Sequence, residues 1–114
     1  MEEQGKTLSP GYSLNEYQAD AAALRLPSAD AQYCRENLIG EVGEYFGVRA
    51  KARRDGYKPE HALLIKKELG DILWQLSQVC ADEGYTLEEI ALSNIYKLTA
   101  RKQNGTLNGS GDLR

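Results

Sequence analysis

Apolar positions recur along this chain at spacings of three and four, and no stretch alternates strictly between apolar and polar residues. Leu38, Val42, Tyr45 and Phe46 share one stripe; Leu69, Ile72, Leu76, Val79 and Cys80 share another. The pattern predicts helices and no strands. Local punctuation divides it into four segments. Ser13-Leu14-Asn15-Glu16 reads as a capping box and opens a helix from Leu14 to Leu26, closed by Pro27. Ser28 is the next cap candidate, for a long helix from about Ala29 to Arg54. Asp55-Gly56 ends that helix, with Lys51, Arg53 and Arg54 in its last turn, where cations suit the helix dipole. Pro59 fits the first position of a third helix, which runs to Glu83 and is stopped by Gly84. Thr86-Leu87-Glu88-Glu89 is a second capping box, opening a helix that reaches about Gln103 before Asn104-Gly105. The expected fold is all-α and four-helix bundle-like, with antiparallel helices joined by short connections. Residues 1–104 form the helical domain, and 105–114 form a Gly-rich tail with no period.

Gly40, Gly43 and Gly47 lie inside the second helix, where each costs roughly 0.5–1 kcal/mol relative to alanine. They are expected to mark close helix approach, or to leave room for a bulky ligand beside neighbouring carboxylates. A length of 114 residues suits one domain. It leaves too little chain to cover both sides of two long helices, so a homo-oligomer is expected, a dimer at minimum. Fourteen Lys and Arg against seventeen Asp and Glu give a net charge of −3, which argues against a general nucleic-acid binder. No apolar run approaches the ~20 residues that span a bilayer, and the polar start is unlike a signal peptide. Cys34 and Cys80 form no CxxC motif, as expected of a reduced, cytoplasmic chain.

The candidate chemistry is acidic. Glu41 and Glu44 are three apart on the second helix, and Glu68 and Asp71 are three apart on the third. Residues at that spacing are neighbours on a helix surface, and like charges there repel. Both pairs fall on the shoulder of an apolar stripe. When the two helices pack antiparallel the pairs converge, and four oxygen ligands gathered in this way suit Mg²⁺ or Mn²⁺. Solvated acids on a helix face are the plain alternative. Asn94, Lys97 and Arg101 share one face of the fourth helix, where the two cations could pair phosphate oxygens or simply answer Glu88 and Glu89. Other features carry less. Gly5-Lys6-Thr7 imitates the end of a P-loop but lacks its upstream glycine and strand. His61 is the single histidine, expected on the surface near a helix start. Asn108-Gly109-Ser110 fits a glycosylation sequon, with nothing else to suggest secretion.

Glu41-x-x-Glu44, Glu68-x-x-Asp71 and Asn94-x-x-Lys97-x-x-x-Arg101 together resemble the MazG family of all-α nucleoside triphosphate pyrophosphohydrolases. The resemblance runs from about Asn15 to Arg101. It includes the phrases Gly40-Glu-Val-Gly-Glu44 and Lys67-Glu-Leu-Gly-Asp-Ile-Leu-Trp74, and the length and ending are similar to short phage-type members. It implies hydrolysis of a (d)NTP to the (d)NMP and pyrophosphate, Mg²⁺ dependence, and dimers or tetramers with sites near subunit interfaces. Gln18 is similar to a first-helix glutamine that touches the base in related enzymes. Many members carry a further Glu where this chain has Gly40, so no extra ligand or base is expected there. Within this reading Glu41 or Glu44 takes a proton from the attacking water. Asn94, Lys97 and Arg101 bind substrate, and Tyr17, Gln18 and Trp74 are candidates for the base pocket. A sister enzyme, dUTP-specific or a phosphoribosyl-ATP pyrophosphatase, and a non-catalytic helical interaction module are the alternatives.

Overall fold

The computed structural model describes residues 11–106, 108 and 109. Most of the expected tail, residues 1–10, Gly5-Lys6-Thr7 and Ser110 of the sequon lie outside the described residues. Four helices follow in order, α1 (Leu14–Ala23), α2 (Ala31–Asp55), α3 (Pro59–Asp82) and α4 (Leu87–Gln103), and no strand occurs among the described residues. No helix there is long and apolar enough to cross a membrane.

Both expected capping boxes form. Ser13 Oγ accepts from the Glu16 amide at 3.0 Å, and the Ser13 amide donates back to Glu16. Thr86 and Glu89 repeat the exchange at 3.1 Å in each direction. Helix α1 stops at Ala23, short of the expected Leu26. The Leu24 and Arg25 amides turn back to Ala21 and Ala22, and the Arg25 guanidinium forms a fork with both oxygens of Asp82 at 2.9 and 3.0 Å. That fork fastens the α1–α2 connection to the end of α3. Helix α2 is capped by Asp30, not Ser28: the Asp30 carboxylate accepts from the Tyr33 amide at 2.8 Å. Gly56 ends α2 at φ 87°, a conformation that favours glycine.

His61 is buried, contrary to the expectation of a surface residue. Its Nδ1 accepts from the Lys58 amide at 2.8 Å, satisfying an exposed donor at the start of α3. The imidazole does the work that Glu or Gln does in a capping box, and it must lie against the helix to reach.

Helices α2 and α3 form the principal packing pair, while α1 and α4 pack on α3 and on each other; α4 does not pack on α2. The short α2–α3 connection and the Arg35–Glu83 ion pair at 3.6 Å, from the start of α2 to just past α3, fix the pair as antiparallel. The apolar core is thin. Its buried members are Ala21, Cys34, Ala52, Cys80 and Leu87. Ile39 is 77% exposed and Phe46 63%, and Leu69 also faces outward. Phe46 and Leu69 therefore leave the stripes that periodicity assigned them, whereas Leu38, Val42 and Tyr45 are half-buried towards α3. The glycines of α2 correct another expectation. A Cβ at Gly43 or Gly47 would meet nothing within 4 Å, and one at Gly40 would meet only Asn37 Oδ1 at 3.2 Å. No helix approaches them within the protomer. The radius of gyration is 17.0 Å, against about 13 Å for a compact 100-residue domain.

Candidate metal centre

The α2–α3 pairing sets the register of the acids. Glu41 and Glu44 project from successive turns of α2 towards the seam, and Glu68 meets them from α3. Each of the three offers a carboxylate oxygen within 4.8 Å of the others. Glu41 and Glu68 are half-buried, and Glu44 is exposed. The Oε2 atoms of Glu41 and Glu68 are buried without a hydrogen-bond partner. The other oxygen of Glu41 accepts a long 3.4 Å bond from Asn37 Nδ2.

The electrostatics follow from this crowding. Burial, then the charges of Glu44, Asp71 and Glu68, pushes the Glu41 carboxyl above its ordinary range. Burial, then Glu44 and Asp71, does the same to Glu68. Burial of an acid oxygen with no donor is costly, and repulsion among three carboxylates adds to that cost. A divalent cation removes both costs, and a set of oxygen donors is what Mg²⁺ or Mn²⁺ takes. The residues present therefore fit such an ion.

Three of the four expected ligands are brought together. Asp71 is exposed one turn further along α3, outside the trio, although its charge acts on Glu41, Glu68 and Tyr17. Tyr17 on α1 is half-buried, and burial followed by the Asp71 charge raises its hydroxyl. Helix α1, which packs on α3, thus brings Tyr17 near Asp71. Gln18, one residue on, is occupied elsewhere. Its Nε2 donates to the carbonyls of Ser77 and Tyr85 at 3.2 and 3.1 Å, and its Oε1 accepts from the Leu87 amide at 2.9 Å. Trp74 Nε1 donates to the Ala21 carbonyl at 3.2 Å, tying α3 to α1. On α4, Asn94 is exposed, Lys97 half-buried and Arg101 buried, and neither of these two cations is free of partners in the chain. Asn37 was not singled out from the sequence. Its signal was the four-residue step to Glu41, which places an amide donor one turn before the acid.

An antiparallel helical hairpin with carboxylates converging across its seam is an all-α arrangement able to hold a cation between facing helices. Residues 30–106 match the MazG nucleotide pyrophosphohydrolase domain, and the chain belongs to that family. It is similar to the Gene 37 protein of Mycobacterium phage L5, at 33% identity over 85 residues, covering 72% of this chain and 75% of that protein. No solved structure gives a significant match.

Proposed function

We propose that the protein hydrolyses a (deoxy)nucleoside triphosphate to the monophosphate and pyrophosphate with Mg²⁺ or Mn²⁺. The observation that carries this reading is the pair of buried, partnerless Oε2 atoms on Glu41 and Glu68, beside Glu44, in a chain of the MazG family. Glu41, Glu44 and Glu68 would hold the cation, with Asp71 completing the set from one turn away. When bound, the ion would supply charge neutralisation for the polyphosphate and a more acidic water.

The chain's own groups do the rest. Glu41 buries one oxygen in the seam, which suits a ligand. Glu44 is exposed at the mouth and is better placed to accept the proton of an incoming water. Tyr17, near Asp71 on the α1 side, would offer an aromatic surface to a base. Lys97 and Arg101 would meet the departing pyrophosphate only where α4 reaches the seam, since α4 does not pack on α2 in this protomer.

A second part of the proposal is a homo-oligomer, dimer or tetramer, in the cytoplasm. Open Gly43 and Gly47, exposed Ile39, and the large radius of gyration all support it. Residues 1–104 would then act as one unit, with 105–114 as an appendage. The test is a panel of nucleoside triphosphates and diphosphates with Mg²⁺, products resolved. Monophosphate plus pyrophosphate supports the reading; diphosphate plus phosphate, or no turnover with any nucleotide, overturns it.

A further inference from the structure

The far end of α2 carries a second, different concavity. Phe46, Arg49, Ala50, Arg53 and Tyr57 line a cleft of about 320 Å³, at the lower end of the range for small-molecule sites. Two guanidinium groups and two aromatic rings supply its chemistry. The Arg49 guanidinium carbon lies 5.4 Å from the centroid of the Tyr57 ring, within cation–π range. Arg54 is neutralised by Asp55 through two bonds of 2.8 and 3.0 Å. Arg49 and Arg53 have no ion pair among the described residues.

Helix-end electrostatics account for Arg53, in the last turn of α2, but not for Arg49. The dipole's influence falls off within the last turn, and Arg49 lies further in than that. Tyr57 is also held unusually. Its φ is 55°, in the left-handed region that residues with a Cβ rarely adopt, and it follows Gly56 at 87°. A glycine at 57 would relieve that strain. Tyrosine there instead sets a ring over Arg49.

The cleft is separate from the carboxylates. At about 100° per residue, Arg53 projects on the side of α2 opposite Glu44, roughly 13 Å further along its axis. We infer that this cleft binds a phosphate monoester bearing an aromatic ring, of the nucleoside monophosphate class, without metal. The guanidinium groups of Arg49 and Arg53 take the phosphate, and the base lies against the aromatic lining that Phe46 and Tyr57 provide. The product of the proposed reaction belongs to this class, but the inference does not depend on that reaction.

The test is calorimetric titration of the full chain with AMP in EDTA, with adenosine and inorganic phosphate as separate probes. Binding of AMP at least tenfold tighter than either fragment is expected. Arg49→Gln combined with Arg53→Gln should weaken it at least tenfold, and Glu44→Gln should leave it within twofold. Tyr57→Gly guards against misfolding, because glycine suits the positive φ: it should keep the helical circular dichroism and still weaken AMP severalfold. No binding in EDTA at millimolar AMP overturns the assignment. Binding indifferent to the arginines and Tyr57, or lost with Glu44→Gln, also overturns it. Because metal is absent throughout, failure here leaves the hydrolysis reading untouched.

Discussion

Glu41 on α2 and Glu68 on α3 each bury an Oε2 with no donor, within one carboxylate cluster that also includes Glu44. The arrangement is unfavourable for the metal-free fold and favourable for a metal-bound one. Mg²⁺ should therefore raise the melting temperature, by linkage of about 2.7 kcal/mol at about 100 times its Kd. Glu41→Gln should raise the metal-free melting temperature by relieving repulsion, and should also remove most of the Mg²⁺ response. Asp71→Asn should abolish turnover with the helical circular dichroism intact. Differential scanning fluorimetry with and without EDTA checks the stability effects, and an identical Mg²⁺ response in Glu41→Gln contradicts the ligand assignment.

The same two acids give a pH dependence. Their folded values lie above the ordinary 4.5, so between the unfolded and folded values the metal-free fold binds more protons than the unfolded chain. Their contribution is fully present below the unfolded value and is lost as pH rises through the raised ones. Urea midpoints in EDTA should accordingly decline over that interval, and saturating Mg²⁺ should flatten or reverse the slope. A midpoint that rises over the interval in EDTA would mean that the acids are not crowded in solution.

The helices, both capping boxes and the acidic pairs were legible because each depends on neighbours within about one turn. The cap of α2 was missed because Ser28 and Asp30 are both good caps, and only the chain path chooses Asp30. The role of His61 was missed because a histidine three residues after Lys58 carries none of the usual capping-box wording. Long-range placements were harder. Nothing local says that Gln18 is held by α3 and α4, or that Phe46 turns away from the stripe it shares with Tyr45. His61→Ala should cost about 1 kcal/mol or more, for a lost cap and a buried void. His61→Gln should recover part of that, since its carbonyl oxygen can accept from the same amide. Equal stability of both variants with the parent chain would remove the cap from the account.

The open glycines separate a solvent face from a covered one. Within the protomer, an added Cβ at Gly43 or Gly47 meets nothing. If water lies there, Gly47→Ala should stabilise the chain by about 0.5–1 kcal/mol, and Gly47→Leu should be harmless. If a second copy packs there, as proposed, Gly47→Leu should disrupt the assembly and lower stability in a concentration-dependent way. Light scattering decides: the parent chain should exceed 12.7 kDa at least twofold, and Gly47→Leu should shift it towards monomer.

Gln18 offers the clearest contrast between an inherited role and an observed one. Family resemblance makes it a base contact, yet its amide already serves three backbone groups: the carbonyls of Ser77 and Tyr85 and the amide of Leu87. Those bonds join α1 to α3 and to the first residue of α4. Leu87 is buried, so loss of the partner of its amide leaves a buried donor unsatisfied, at about 1–3 kcal/mol. Gln18→Ala should therefore lower stability by that order. Gln18→Glu should also be destabilised, because it keeps the acceptor for Leu87 but loses both donors and turns a charge towards two carbonyls. A base contact would instead leave stability near that of the parent and raise KM for some bases more than others. Urea denaturation alongside kinetics on two triphosphates distinguishes the outcomes. Loss of stability with unchanged base preference fits the observed bonds, whereas a base-selective rise in KM at full stability would require the amide to let go of α4 when substrate binds.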